Sequence, residues 1–139
     1  MLKGIPSVLQ PELLKILMEM GHGDEIVIAD GNFPGAGIAK KLVRCDGNGV
    51  VEILEAVLRF FPLDSFVKAP VTLMAVVQGD DYVPHIQQRY REIIDKNGGA
   101  GIELLERFAF YERAKNAYAV ITTGETARYA NIILKKGVV

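Results

Sequence analysis

The sequence predicts a single α/β domain over residues 1–139, built as a three-layer α/β/α arrangement around a mixed sheet. Short unbroken apolar runs rich in β-branched residues, such as Ile26-Val27-Ile28-Ala29 and the stretch 70–77, read as strands covered on both faces. Those runs alternate with segments whose apolar residues recur at helical spacing. The 139 residues are 50% hydrophobic, enough for one full core, and no repeat, linker or low-complexity tract divides them.

Taken in order, Leu13, Leu14, Leu17 and Met18 share a helical face over 11–20, with Pro11 in the favoured first turn and Gly21 at the stop. A strand follows at 26–29. Gly31-Asn32-Phe33-Pro34-Gly35-Ala36-Gly37 holds three glycines and a proline in seven residues and reads as a loop. A short strand at 41–45 and the turn Asp46-Gly47-Asn48-Gly49 lead to a helix over 50–61, whose apolar face is Val51, Leu54, Val57, Leu58 and Phe61. The strand at 70–77 closes on Gly79-Asp80-Asp81. Pro84 opens a helix that carries Ile86, Tyr90, Ile93 and Ile94 and ends at Asn97-Gly98-Gly99. Beyond it come a strand at 102–105, a helix at 108–117, and strands at 118–122 and 130–134.

Charge and cysteine content exclude several classes. Sixteen basic and seventeen acidic residues are interspersed, giving a net charge of −1, so nucleic acid is not the expected partner. The single Cys45 cannot form an internal disulfide and reads as a small core thiol. The N-terminus lacks the apolar core of a signal peptide, and no run is long enough to cross a bilayer. A soluble cytoplasmic protein is expected. The high apolar share in so short a chain further predicts a homo-oligomer that buries some of it between subunits.

Among candidate motifs, Gly35-Ala36-Gly37 lacks the third glycine of a dinucleotide loop, Lys40 holding its place, and no Gly-Lys-Ser/Thr makes a phosphate loop. His22, His85 and Cys45 are too scattered for a structural metal site. His22 stands between glycines ahead of the 26–29 strand. It reads equally as an exposed proton-transfer group or as a histidine bonding its own turn. Asp30, at the other end of that strand, can start an Asx turn or meet a ligand, and the two are compatible. Arg107 and Arg113 bracket Phe108-Ala109-Phe110-Tyr111-Glu112, which suits either a polar ligand's cradle or a solvated helix face. Tyr129 and Asn131 alternate on an expected strand and so should share one face.

Longer ordered motifs carry a resemblance that runs essentially end to end. They are Leu2-Lys3-Gly4-Ile5, Pro11-Glu12-Leu13-Leu14, Met20-Gly21-His22-Gly23-Asp24-Glu25-Ile26, Asp30 with Asn32-Phe33-Pro34, and Arg44 with Asp46-Gly47. Further on stand Glu106-Arg107-Phe108-Ala109-Phe110-Tyr111-Glu112-Arg113-Ala114, Thr123-Gly124-Glu125, and Tyr129-Ala130-Asn131-Ile132-Ile133-Leu134-Lys135-Lys136-Gly137. The chain resembles the L-fucose mutarotase and D-ribose pyranase family. Its Arg-Phe-x-Phe-Tyr-Glu-Arg block is similar to the fucose branch, whereas the ribose branch tends to histidine where Arg107 stands.

The resemblance implies a cofactor-independent isomerase that interconverts the α and β anomers of L-fucose. It implies His22 as proton donor, with Asp30, Arg107, Tyr129, Ala130 and Asn131 on the sugar, and a decamer of stacked pentamers with the site near a subunit boundary. Opening a hemiacetal moves one proton off the anomeric hydroxyl and another onto the ring oxygen, which positioned acid–base groups can serve. His22 would serve the ring oxygen, and Tyr129 or a water the anomeric hydroxyl. The alternatives are pyranose–furanose interconversion of D-ribose and a sugar-binding module without turnover.

Overall fold

Ile26 and Ile28 turn to one side of their strand and Val27 and Ala29 to the other, and all four are shut off from water. Two packed layers are therefore needed, one on each face. A computed structural model describes residues 1–139 and shows both. In chain order the elements are α1 (Pro11–Glu19), β1 (Glu25–Ala29), α2 (Gly35–Ile38), β2 (Leu42–Cys45), α3 (Val50–Leu58), β3 (Val71–Met74), α4 (His85–Lys96), β4 (Ile102–Leu105), α5 (Arg107–Asn116), β5 (Ala119–Thr123) and β6 (Ile132–Lys135).

The six strands lie in the order β2-β5-β1-β6-β3-β4. β2, β5 and β1 run parallel to one another, as do β3 and β4, while β6 is antiparallel to both of its neighbours, β1 and β3. The sheet is mixed, as expected. Its larger core packs Leu13, Ile16, Ile53, Leu54, Tyr90 and Ile94 of α1, α3 and α4 against Ile26, Ile28, Leu73 and Ile132. The smaller core, on the opposite face, packs Phe110 and Ala114 of α5 with Phe33 against Val27, Ala29, Val120 and Ile133.

Several boundaries differ from the sequence reading, each for a local reason. The expected loop at 31–37 contains the short α2, whose Gly35 lies so close to Thr122 that a Cβ would overlap the threonine methyl. α3 ends at Leu58, where Phe60 N and Phe61 N both turn back to Val57 O ahead of Pro62. β3 stops at Met74, because its partner β4 ends at Leu105 and gives way to α5. β6 begins at Ile132, not 130, because its pairings with β1 and β3 both stop there, at Ile28 and Leu73, and the chain then leads back into the left-handed turn at Tyr129 (φ 57°). Cys45 is buried, accepts from Gln10 Nε2 at 3.3 Å, and has its thiol pushed up by burial. No helix is long and apolar enough to cross a membrane.

Candidate functional site

The carboxyl ends of parallel β1 and β3 and the amino end of antiparallel β6 meet at one edge of the sheet, the position where open α/β sheets take ligands. A cavity of about 470 Å³ opens there. Asp30 follows β1, Asn131 precedes β6, Met74 ends β3, and Arg107 and Tyr111 stand on the first turns of α5; all line the cavity. Residues 75–84, which have no regular structure, add Val77 and Asp80 to its wall.

Asp30 is the buried charge of the group, 5% exposed. Its backbone N–H donates to Asn131 Oδ1 at 2.9 Å, and its Oδ1 accepts from Asn32 N at 2.9 Å. Burial raises its pKa above the ordinary carboxylate value, and donors from Asn32, Ala130, Asn131 and Phe33 only partly offset that. Asp30 and Asn131 thus form one unit tying β1 to β6. Ala130 is fully buried and is not part of the cavity lining: its carbonyl accepts from Tyr90 Oη at 2.7 Å and its N–H serves the Asp30 carboxylate.

Arg107 is exposed and makes no ion pair; its guanidinium lies over the rings of Phe108 (4.8 Å) and Tyr111 (5.7 Å). It is placed by Glu106, whose carboxylate caps α5 by accepting from Phe108 N and Ala109 N. The two arginines expected to form one cradle part company. Arg113 turns away to clamp Glu25 (2.7 Å) and Glu103 (2.6 Å), because six residues along a helix is not the same face. Phe33, in edge contact with Tyr111 at 5.5 Å, joins Met74 and Val77 in an apolar wall.

Tyr129 and Asn131 do share the cavity, though not by strand alternation: the left-handed turn at Tyr129 carries them there. Gln87, buried on α4, holds that turn by donating to Tyr129 O (3.0 Å) and to Met74 O (2.8 Å). Tyr129 Oη donates to Asp80 Oδ2 at 2.7 Å, and this contact raises the phenol's pKa.

His22 is elsewhere. It precedes β1, so the whole strand, about 17 Å of extended chain, separates it from Asp30. Its Nε2 lies 3.3 Å from Asp64 Oδ1, its ring packs on Phe66 at 5.5 Å, and its side chain is 46% exposed. Asp64 is held below the ordinary carboxylate value by the Phe66 N–H and then by His22.

Sequence reasoning did not reach Asp80, Arg128 or Asp64. Gly79-Asp80-Asp81 was readable only as a strand stop, and Arg128 only as part of a connector. The half-buried tyrosine turn that unites Asp80 with Arg128 has no local signature.

Comparison with known proteins adds an independent line. The RbsD / FucU transport protein family matches residues 3–139. An L-fucose mutarotase of Actinobacillus pleuropneumoniae serotype 5b is 51% identical over 140 residues, spanning 99% of this chain and 97% of its own. The fucose mutarotase of Streptococcus pneumoniae, solved in complex with L-fucose, superposes with a TM-score of 0.96 at 55% identity over 99% of both chains. The Bacillus subtilis RbsD structure complexed with D-ribose is further off, at TM-score 0.75 and 28% identity over 94% of this chain and 95% of that one.

Proposed function

The chain belongs to the RbsD / FucU family, and from that premise we propose that it is an L-fucose mutarotase, a sugar isomerase that interconverts the two anomers by ring opening and closure. The observation that carries the reading is the cavity itself. Its lining combines the polar Asp30, Asn131 and Arg107 with the apolar Phe33, Met74 and Val77, which suits a sugar that carries both hydroxyls and a methyl. Ribose has no such methyl, and the ribose-bound relative is the more distant one.

Asp30 accepts hydrogen bonds from sugar hydroxyls, and Arg107, free of any carboxylate, donates to adjacent oxygens. Asn131 holds the far side, with Ala130 acting through its N–H on Asp30. In ring opening the anomeric hydroxyl loses its proton to a water that donates to Tyr129 Oη. The bond from the anomeric carbon to the ring oxygen breaks with its electron pair on that oxygen, which takes the proton of His22. Closure on the other face of the aldehyde reverses each step and returns the proton to His22. Such acid–base help is worth about 10²–10⁴ in rate.

Because His22 lies at the opposite end of β1, it serves a cavity of a second copy, and the site is complete only in an oligomer. Side chains available to such contacts include Leu2, Met18, Phe66 and Phe108, all well exposed, and an apolar groove of about 910 Å³ runs beneath Met1, Leu2 and Met18. A decamer of stacked pentamers in the cytoplasm is the assembly and place the family resemblance implies.

The test is magnetisation exchange between the anomeric protons of L-fucose by NMR, with and without catalytic protein, repeated with D-ribose. Protein-dependent exchange on fucose supports the reading. Exchange on ribose alone overturns it for a pyranase, and silence on both sugars with binding retained overturns it for a sugar-binding module.

A further inference from the structure

The cavity's outer wall is held to Tyr129 by one carboxylate, Asp80, and by a longer main-chain contact in which Val77 N donates to Tyr129 Oη at 3.4 Å, leaving one Oη lone pair free. Residues 75–84 leave β3 after Ala75 N bonds Leu105 O, run without regular structure, and re-enter the fold at α4. Along this span Asp80 makes the side-chain contacts to the 128–129 turn: Oδ2 accepts from Tyr129 Oη at 2.7 Å and from Arg128 Nη1 at 3.3 Å. Its other oxygen, Oδ1, accepts from Tyr82 N at 2.9 Å, so the carboxylate is fixed from both sides. Tyr82 then stacks under the Arg128 guanidinium at 4.2 Å and lies 5.9 Å from the Tyr129 ring.

This arrangement decides what Tyr129 shows a ligand. A phenol has one hydrogen and two acceptor lone pairs. With the hydrogen spent on Asp80, Oη can meet a ligand or water only as an acceptor, and the O–H it accepts from is thereby selected as a donor. The tyrosine's backbone is strained at φ 57°, so its ring direction depends on the contacts that fix it.

We propose that Asp80 is a positioning residue for the mutarotase reaction: it orients the Tyr129 hydroxyl as an obligate acceptor for the water that takes the anomeric proton and keeps residues 75–84 against the cavity. No proton passes to Asp80. It stands to Tyr129 as an orienting carboxylate stands to the group it aims, stabilising a direction and not taking the proton. The inference rests on the proposed role of Tyr129 at the anomeric hydroxyl.

The experiment is L-fucose exchange by NMR for the wild type, Asp80→Ala, Asp80→Asn, Tyr129→Phe and the double variant Asp80→Ala/Tyr129→Phe, with Tm and fucose affinity measured for each. Asp80→Ala is expected to lower the exchange rate constant roughly 10- to 100-fold, the scale at which a misplaced group costs rate. Asp80→Asn, whose Oδ1 can still accept from Tyr129, recovers most of it. In the Tyr129→Phe background, Asp80→Ala adds almost nothing, because the group it acts through is gone. Losses that multiply in the double variant, or exchange in Asp80→Ala within twofold of wild type, overturn the proposal. A Tyr129→Phe variant as active as wild type removes the role of Tyr129 on which the inference rests, and a wild type without exchange defeats the functional reading instead.

Discussion

Asp30 holds its charge at a cost to the fold. Its pKa is raised, so the ionised form is less favourable in the folded chain than in the unfolded one. The folded state therefore gains stability relative to the unfolded as pH falls through that raised value, and forgoes the gain at neutral pH. Asp30→Asn is expected to abolish fucose exchange and, with the titrating group gone, to flatten the rise in stability on acidification; thermal melts across the acid range beside NMR exchange check both halves, and an unchanged pH dependence of Tm contradicts the burial argument. The same titration weakens sugar binding at a pH above the one that would silence an exposed carboxylate. His22 and Asp30 were legible in the sequence because each stands beside one apolar run, at a glycine turn and at a loop start. Asp80 was not, because the hydroxyl that gives it meaning lies 49 residues further on and is turned toward it by a backbone angle no local pattern reports.

At the scale of elements, α5 shows how a cap can place a functional group. Glu106 satisfies two N–H groups at the start of the helix whose first residue is Arg107. Glu106→Ala should cost about 1 kcal/mol of stability, the usual worth of a cap, and weaken fucose binding by loosening the arginine. Denaturant unfolding and a binding titration read the two effects, and a stability loss without weaker binding would separate cap from site. The helices over 11–20, 50–61 and 85–96 were readable because each has a sustained apolar face, and strands β1 and β5 because they are continuous apolar runs. α2 escaped because one turn built around Gly35 and Gly37 carries no periodicity. The overlong β3 was a tertiary matter: Val76 and Val77 have strand character but no partner strand beyond Leu105, and Val77 lines the cavity instead.

For the whole molecule, the strand that separates His22 from Asp30 yields a test of shared sites. Mixing His22→Ala with Asp30→Ala, each inactive alone, should restore part of the exchange once subunits are scrambled by mild denaturation and refolding. Cavities then form that draw an intact His22 and an intact Asp30 from different chains. No recovery in mixed assemblies would place both groups in one chain's site. The resemblance in the sequence carried the family and the layered fold, and the order of His22, apolar run and Asp30 already set the two groups at opposite ends of one strand; the structure adds that Asp30 faces the cavity and His22 does not. β6 has a different bearing, on the order of folding. Within the sheet, the half β2-β5-β1 and the pair β3-β4 are hydrogen-bonded to each other only through it. By sequence number Ile133 meets Thr72 of β3 across 61 residues but Val27 of β1 across 106, so β6 joins the β3 side first and its seam with β1 is the longest closure in the sheet and forms late. Ile133→Ala, in stopped-flow kinetics, should accelerate unfolding far more than it slows folding.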